Sequence, residues 1–491
     1  MQGVHTALAT INRCLNAHQP ISRLPDDILV SIPTYLDSEV IQPDLVRLTR
    51  VCQSWRRTFI SSPSLWSTIY VGALPLPLLS LSLKRSGSAP IRLDMARNDY
   101  HTFESVVTPI VNIQHNEYDT LGLDSVGWDE VVSVSRLASN SASNLRVLLL
   151  NITAAGRDNV ALVPLPFSYA SALQKLSLRL DSQKILDCFR FGSLIALSLF
   201  CTAAISQTKL LEFLRISPHL ERVELDFHLL TGASRTGCPP VHLQDLRRLR
   251  INATTSGDSH LQLFTKIVCP VAKDVAISLH FIDLPGVETG SPLQFSWGFF
   301  PHSSQLHAVE LQVGQTGVGT YSIRLLYGGG SQFKVSFHFT SLAARIRHSF
   351  DRNTPRDLFI FRAILYSLHA LSLNSVARLS ITGIDPSTIS DPAKPAVFSS
   401  IRELLAGMEN LKTLTVSSGC VPAICLALSP QPAPSAILCP SLDSIELLPP
   451  IGPGVYKSVE EVIAMRKARA TTGHVKRNRT RTFQKISKNF C

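Results

Sequence analysis

Long apolar runs are missing from this sequence of 491 residues. The best one, LPLPLLSLSL at 74–83, is about half of the roughly 20 residues that span a bilayer, and it contains two prolines. The N-terminus has neither a basic start nor a continuous apolar segment, so the sequence predicts no secretory signal. These two absences lead us to expect an intracellular protein of the cytoplasm, the nucleus or both.

Paired cysteines and catalytic motifs are lacking too. The ten cysteines are scattered and never form a CxxC, so we expect reduced, mostly buried thiols and no zinc site. HExxH, the P-loop and the nucleophile elbow are absent. A glycine-rich loop contains Gly314, Gly317 and Gly319. It neither follows a nucleotide-binding strand pattern nor begins a helix, so we do not expect it to bind phosphate. We therefore expect no enzyme, no cofactor and no metal.

The net positive charge is small outside the C-terminus. The formal charge is +11, but residues 457–491 hold ten Lys or Arg against two Glu, which leaves about +3 for the first 456 residues. A basic groove is not indicated, so nucleic acid is not an expected partner of the body. Residues 473–491 are interpreted as a solvated, disordered basic tail. A role in nuclear import or nucleic-acid contact is the alternative.

The apolar content of 45% with 17% charged residues indicates a folded chain, and residues 20–70 carry three helical patterns. The first helix begins at Leu24–Pro25, where proline is tolerated, and Pro33 predicts a kink or an early end. The second begins at Pro43–Asp44 as one helix whose apolar stripe reaches Phe59. The third helix is short: Ser62 is its predicted N-cap, Pro63 is its first residue, and it includes Ile69.

Three short helices enclose too little volume to bury all of these apolar side chains. The sequence therefore predicts surplus apolar surface that another domain or another chain must cover.

The segments LPDDILVSIPTYLD, DLVRLTRVCQSWRR and SPSLWSTI together resemble the F-box motif. The resemblance implies that this module binds the adaptor subunit of an SCF-type cullin–RING ubiquitin ligase through an apolar face. Pro33 departs from the motif, which usually has a large apolar residue there, and a plain cap on the following domain is the alternative. The contacts that the resemblance implies are Leu24, Pro25, Ile28, Leu29, Ile32, Leu45, Leu48, Val51, Cys52, Trp55, Leu65 and Trp66, with Leu29, Trp55 and Trp66 as the expected anchors.

Beyond residue 140 an apolar triplet with the spacing LxxLxL returns ten times. Early intervals match the 20–29 residues of leucine-rich repeats, and later ones imply insertions. The last two apolar residues of a triplet point to one side of a strand, and no single strand–helix unit can bury its own apolar face. The triplets are Leu145/Leu148/Leu150, Leu173/Leu176/Leu178, Leu194/Leu197/Leu199, Leu220/Val223/Leu225, Leu246/Leu249/Ile251, Ala272/Val275/Ile277, Leu306/Val309/Leu311, Val376/Leu379/Ile381, Leu411/Leu414/Val416 and Leu442/Ile445/Leu447.

The widest gap between triplets holds two alternating apolar runs around Gly328–Gly330, a pattern that predicts a β-hairpin at about 320–340. We interpret it as a two-stranded excursion from the repeats. Either a flap that grips a substrate or a lid over part of the sheet fits the pattern.

The predicted fold is α/β, with a three-helix F-box packed on an irregular leucine-rich repeat solenoid that has a parallel sheet. This layout resembles F-box proteins of the kind expanded in fungi. The predicted segments are a leader at 1–19, the F-box at 20–70, connecting helices and degenerate first repeats at 71–142, the solenoid at 143–452, a closing helix at 453–472 and the basic tail at 473–491.

The resemblance implies a non-catalytic subunit of an SCF-type ubiquitin ligase that recruits substrates. Its partners would be the adaptor, a cullin reached through the adaptor, and a protein substrate that the sequence does not identify. The alternative from another class is a repeat scaffold for protein–protein interaction without ligase association.

Overall fold

The computed structural model has two compact units, Met1–Ala203 and Ala204–Cys491, which are described in turn. The last strand of the first unit extends three residues past this boundary. The structure describes residues 2–36, 41–71, 75–96, 118–137, 144–153, 165, 170–231, 239–256, 263, 266–283, 306–313, 319–327, 332–339, 368, 373–382, 394–417, 420–429, 438–448 and 453–472. The basic tail at 473–491 therefore lies outside the described residues.

The N-terminal module of the first unit is helical. Its helices are short because prolines and turns interrupt the chain. A helix fills most of the predicted leader and was not anticipated. The helices are α1 (Gln2–Ala17), a 3₁₀ turn (Pro20–Arg23), α2 (Asp26–Ser31), a second 3₁₀ turn (Ile32–Tyr35), α3 (Ile41–Leu48), α4 (Gln53–Ile60) and α5 (Pro63–Trp66).

The early end predicted at Pro33 is confirmed. The α-helical part of the first F-box helix stops at Ser31, and the chain continues as the 3₁₀ turn that contains Pro33. Proline has no N–H to donate within a helix, so the tighter turn replaces the α-helical bonding there.

The single second helix predicted from residue 43 onward is wrong, because the chain breaks between α3 and α4. The N–H groups of Arg50 and Val51 bond three residues back, which tightens and ends α3, and Cys52 is extended. Arg56 Nε donates to the carbonyl of Thr49 at 3.0 Å and satisfies a group that the broken helix leaves open.

Two details of the third predicted helix are corrected. Ser62 stands at the N-cap of α5, but its hydroxyl donates to the carbonyl of Thr58 at 2.7 Å rather than capping the helix. Ile69 lies in strand β1 (Thr68–Tyr70), because the helix ends at Trp66.

Strand β1 opens a parallel sheet in the first unit. Helix α6 (Leu76–Ser86) leads from β1 to β2 and ends at Gly87, whose φ is +56°. Helix α7 (Trp128–Leu137) lies between β3 and β4 in sequence. The further strands, each parallel to the one before, are β2 (Ile91–Ala96), β3 (Tyr118–Val126), β4 (Val147–Ile152), β5 (Lys175–Leu180) and β6 (Ala196–Ser206).

The second unit holds a larger sheet with a small parallel pair, β8 (Val241–His242) with β10 (Ile267–Val268), beside it. Its strands, in spatial order, are β7 (Arg222–Thr231), β9 (Arg248–Ser256), β11 (Asp274–Asp283), β14 (Gln332–Phe339), β13 (Gly319–Tyr327), β12 (Leu306–Val313), β15 (Arg378–Thr382), β16 (Thr413–Ser417) and β17 (Ser444–Leu448).

Of the helices whose bounds the structure describes in the second unit, one precedes β7 and three follow β15. Neighbouring helices pack side by side, α9 on α10 and α10 on α11. The helices are α8 (Gln207–Arg215), α9 (Lys394–Ala406), α10 (Val421–Leu428) and α11 (Pro453–Thr472).

All ten predicted triplets place their last two residues in a strand. Those side chains are buried wherever the structure describes them, as for Leu176 and Leu178 in β5 or Leu414 and Val416 in β16. The prediction of a large parallel sheet in an α/β fold is confirmed. The assignment to leucine-rich repeats, and to a solenoid built from them, stays a prediction.

The hairpin at about 320–340 does not leave the sheet, so the predicted excursion is wrong. Strands β13 and β14 are antiparallel to each other, β14 pairs in parallel with β11, and β13 pairs antiparallel with β12. Ile323 and Leu325 are buried. Each outer edge of the hairpin has backbone groups that need hydrogen-bond partners, and one face of the hairpin is apolar. Pairing with a strand on each side bonds both edges and keeps the apolar face buried, whereas an excursion would leave the edges and the face exposed.

Helix α11 covers 453–472, the range predicted for the closing helix. Val459, Val462 and Arg466 are buried, whereas Met465 is exposed. The guanidinium of Arg466 donates to the carbonyls of Leu438 (2.7 Å) and Cys439 (2.9 Å), and burial lowers its pKa below the usual value. This contact ties α11 to the loop before β17.

Replacing Arg466 with Met should lower the free energy of unfolding by about 2 kcal/mol, because the two carbonyls would stay buried without a charged donor. Urea denaturation measures this. Lys457→Met on the exposed side of the same helix is the matched control and should change stability little. Equal stabilities for both variants would contradict the role of Arg466.

Candidate partner-binding module

The N-terminal helices enclose a small apolar core of their own. The indole of Trp66 is fully buried, and its Nε1 donates to the carbonyl of Phe59 at 2.8 Å. Trp55 meets Phe59 edge to face with 5.5 Å between the ring centroids. The Trp66 hydrogen bond joins α5 to α4, and the ring contact packs two side chains of α4 against each other. The core cluster is Leu29, Leu45, Trp55, Phe59, Leu65 and Trp66.

Polar contacts fix the helices relative to one another. Thr58 Oγ1 on α4 donates to Asp26 Oδ1 at 2.9 Å, at the first turn of α2. Within α3, Arg47 forms an ion pair with Asp44 at 2.7 Å. The first contact is half-buried and joins two elements, whereas the exposed ion pair contributes little to stability.

Elements that follow the module in the first unit cover part of the surplus apolar surface predicted from the sequence. The Arg85 guanidinium of α6 lies over the Trp66 ring, 4.4 Å from its centroid, and α6 packs on α5. Gln42 Nε2 donates to the carbonyl of Thr68 in β1. Because α5 and β1 are separated by one residue, the module joins the sheet without a linker.

The twelve residues predicted to contact the adaptor fall into three groups. Exposed ones are Pro25, Ile28 (46% exposed) and Val51 (55% exposed). Partly buried ones, packed against the core, are Leu24, Ile32, Leu48 and Cys52. Buried ones are Leu29, Leu45, Trp55, Leu65 and Trp66.

The three expected anchors therefore lie in the core of the module. The fold brings Leu29, Trp55 and Trp66 together because α2, α4 and α5 each turn their largest apolar side chains inward. In this conformation their side chains stabilise the module and are not open to a partner. One polar atom stands out. Trp55 Nε1 is buried without a hydrogen-bond partner among the described residues, an arrangement that costs free energy.

The structure also exposes apolar residues that the sequence reasoning did not single out. In the module these are Ile21, Tyr35 and Ile60, of which Tyr35 is 87% exposed. Tyr35 follows Pro33 in the 3₁₀ turn, so helical periodicity from α2 could not place it. In α1 an exposed stripe recurs at three- and four-residue intervals, a signal readable from the sequence, and consists of Val4, Leu8, Ile11 and Leu15.

The described part of the chain offers little other chemistry. Its helices are too short or too polar to cross a membrane. Its His, Cys, Asp and Glu side chains form no group of three suited to a metal ion. No disulfide joins the eight cysteines of the described ranges. Burial raises the pKa of the Cys269 thiol to about 12 and of the Cys439 thiol to about 11, so both stay protonated and unreactive near pH 7.

Truncating Trp66 to Ala should destabilise the module by about 3–5 kcal/mol, since the indole fills the core, bonds to Phe59 and lies under Arg85. Thermal unfolding followed by tryptophan fluorescence or circular dichroism measures the loss. Ile60→Ala, at a partly exposed position of α4, is the control and should cost much less. A Trp66 variant as stable as the control would contradict the core assignment.

Comparison with protein families gives one match within this module. Residues 21–72 match the family model described as F-box-like. F-box domains generally bind the adaptor subunit of cullin–RING ubiquitin ligases. No curated protein matches the chain. The match of residues 21–72, which span α2 to β1, supports the interpretation of this chain as an F-box protein.

Proposed function

We propose that the chain is a non-catalytic, substrate-recruiting subunit of an SCF-type cullin–RING ubiquitin ligase. The single observation that carries the proposal is the F-box-like match at residues 21–72, which coincides with a helical module that has its own core. The transfer of ubiquitin belongs to other subunits. This chain would bring its partner protein to them inside the cell.

The adaptor would bind the apolar side chains that the module leaves exposed. Ile28 on α2 and Val51 at the break between α3 and α4 are the strongest candidates, with Pro25 beside α2. Leu24, Ile32, Leu48 and Cys52 would extend this surface as half-buried neighbours. Covering exposed apolar side chains is the main source of free energy for such an interface.

The sheet would bind the recruited protein. In β4 and β5, residues alternate between buried side chains on one side and accessible ones on the other, so one side of the sheet is open to solvent. An open sheet face held rigidly behind an adaptor-binding module would present a second protein at a fixed place.

Ile28→Asp combined with Val51→Asp should weaken adaptor binding by about 30-fold or more, because two charges would have to be buried in an apolar interface. Pull-down of purified full chain with purified SCF adaptor measures it. Val271→Asp, at an exposed apolar position of the second unit, is the matched control and should bind like the wild type.

Circular dichroism should show all of these proteins folded, since the substituted side chains are exposed. Adaptor recovery by the double variant equal to that of the control would contradict the proposed surface. Wild type that recovers no adaptor would favour the other candidate, a scaffold outside any ligase, to which the unusual Pro33 in the first F-box helix points.

A nucleic-acid contact through the basic tail is tested separately. Under our proposal the full chain and a chain ending at residue 472 capture the adaptor equally and bind oligonucleotides equally weakly, as measured by fluorescence anisotropy at two salt concentrations. Salt-sensitive binding that disappears with residues 473–491 would favour the tail as a functional element.

A further inference from the structure

The open face of strands β4, β5 and β6 carries two exposed positive charges, both on β5. In β5 the buried residues Leu176, Leu178 and Leu180 alternate with Lys175, Ser177 and Arg179, which face the open side. Lys175 and Arg179 are both exposed. Four residues along a strand separate them by about 13 Å.

These two cations differ in their pairing from two other arginines of the first unit. Nearby arginines are paired, Arg92 with Asp94 at 2.9 Å and Arg146 with Asp119 at 3.6 Å. Among the described residues, no ion pair joins Lys175 or Arg179 to an acidic side chain.

Two acidic side chains near this face accept hydrogen bonds from neutral groups, and neither forms an ion pair with Lys175 or Arg179. Asp181, two residues after Arg179, accepts a hydrogen bond from Thr202 at 3.3 Å. Asp124 on β3 accepts one from Asn151 on β4 at 2.5 Å. At the open positions of β4, of β5 and of β6 from Ala196 to Thr202, the sequence has no Asp or Glu. Both positive charges are therefore without an ion-pair partner in the described part of the chain and are available to a carboxylate of another protein.

Apolar side chains flank the two cations. In the strand register Val147 is next to Lys175, Leu149 is next to Ser177, and Phe200 is next to Arg179. All three apolar residues are half-buried, so part of each is open to a partner. The Arg179 guanidinium lies over the Phe200 ring, 4.6 Å from its centroid, which holds the cation in place. We call Lys175, Ser177, Arg179, Val147, Leu149 and Phe200 the β5 patch.

We propose that the β5 patch binds an extended acidic segment of a partner protein. Two carboxylates four residues apart in an extended peptide match the spacing of Lys175 and Arg179. A side chain midway between them would lie over the small Ser177 and beside Leu149, so the matching pattern is acidic, any, apolar, any, acidic. The inference rests on the proposed function for its role, because the segment would belong to the recruited protein.

A nucleic acid fits this surface less well. Two unpaired cations can neutralise only two phosphates, and affinity for a polyanion grows with the number of phosphates neutralised. Stacking of successive bases needs several aromatic side chains, and the open positions of β4 to β6 provide Phe200 alone.

The test uses the purified full chain and a fluorescent 12-residue peptide in which two glutamates flank one leucine at four-residue spacing. Fluorescence anisotropy should show binding that weakens at least about tenfold when glutamine replaces both glutamates. Lys175→Glu with Arg179→Glu should cause a similar loss, because attraction becomes repulsion. Lys273→Glu with Lys457→Glu changes the net charge equally at exposed positions of the second unit and should bind like the wild type.

Equal binding of the glutamate and glutamine peptides, or equal binding by the two double variants, would overturn the proposal. A single-stranded RNA oligonucleotide that binds more tightly than the peptide, and loses binding with Lys175→Glu and Arg179→Glu, would overturn it in favour of a nucleic-acid surface. Adaptor capture is measured on the same samples. Adaptor binding without peptide binding defeats only the β5 patch, and peptide binding without adaptor binding defeats only the ligase proposal.

Discussion

Parallel pairing of β1 with β2 is the interaction on which the first unit depends. The carbonyl of Ser67 accepts the N–H of Arg92 at 2.9 Å, and Ile69 stands beside Leu93 in the buried layer. Because β1 follows α5 directly and lies inside the F-box-like match, this pairing fixes the helical module to the sheet. Gln42 reinforces the joint from α3. A rigid joint keeps the two proposed binding surfaces at a constant separation, which a flexible linker would not.

One-sided burial explains how the sheet serves both stability and binding. A parallel strand with a helix behind it buries every second side chain, and the alternate positions are free of packing constraints. In β5 this division gives three buried leucines and the pair Lys175 and Arg179 on the opposite side. The apolar layer therefore determines the fold, and the opposite layer is where recognition of a partner could evolve without loss of stability.

Sequence periodicity predicted the strands well because each triplet depends on burial that repeats along the chain. It located all ten strand positions. It failed where tertiary contacts decide. The break before Cys52 depends on Arg56 reaching Thr49, and the placement of β13 and β14 inside the sheet depends on distant strands β11 and β12. For the module, the motif marked the right segment but could not separate core side chains such as Trp66 from exposed ones such as Ile28.

Hydrogen–deuterium exchange of the full chain, with and without purified SCF adaptor, tests the central claim most directly. The account predicts slower exchange in α2 and in residues 49–56 when the adaptor is present, with β4 to β6 unchanged, because the exposed side chains of the module would be covered and the open face of the sheet would not. Exchange in the module that is the same with and without saturating adaptor would contradict it.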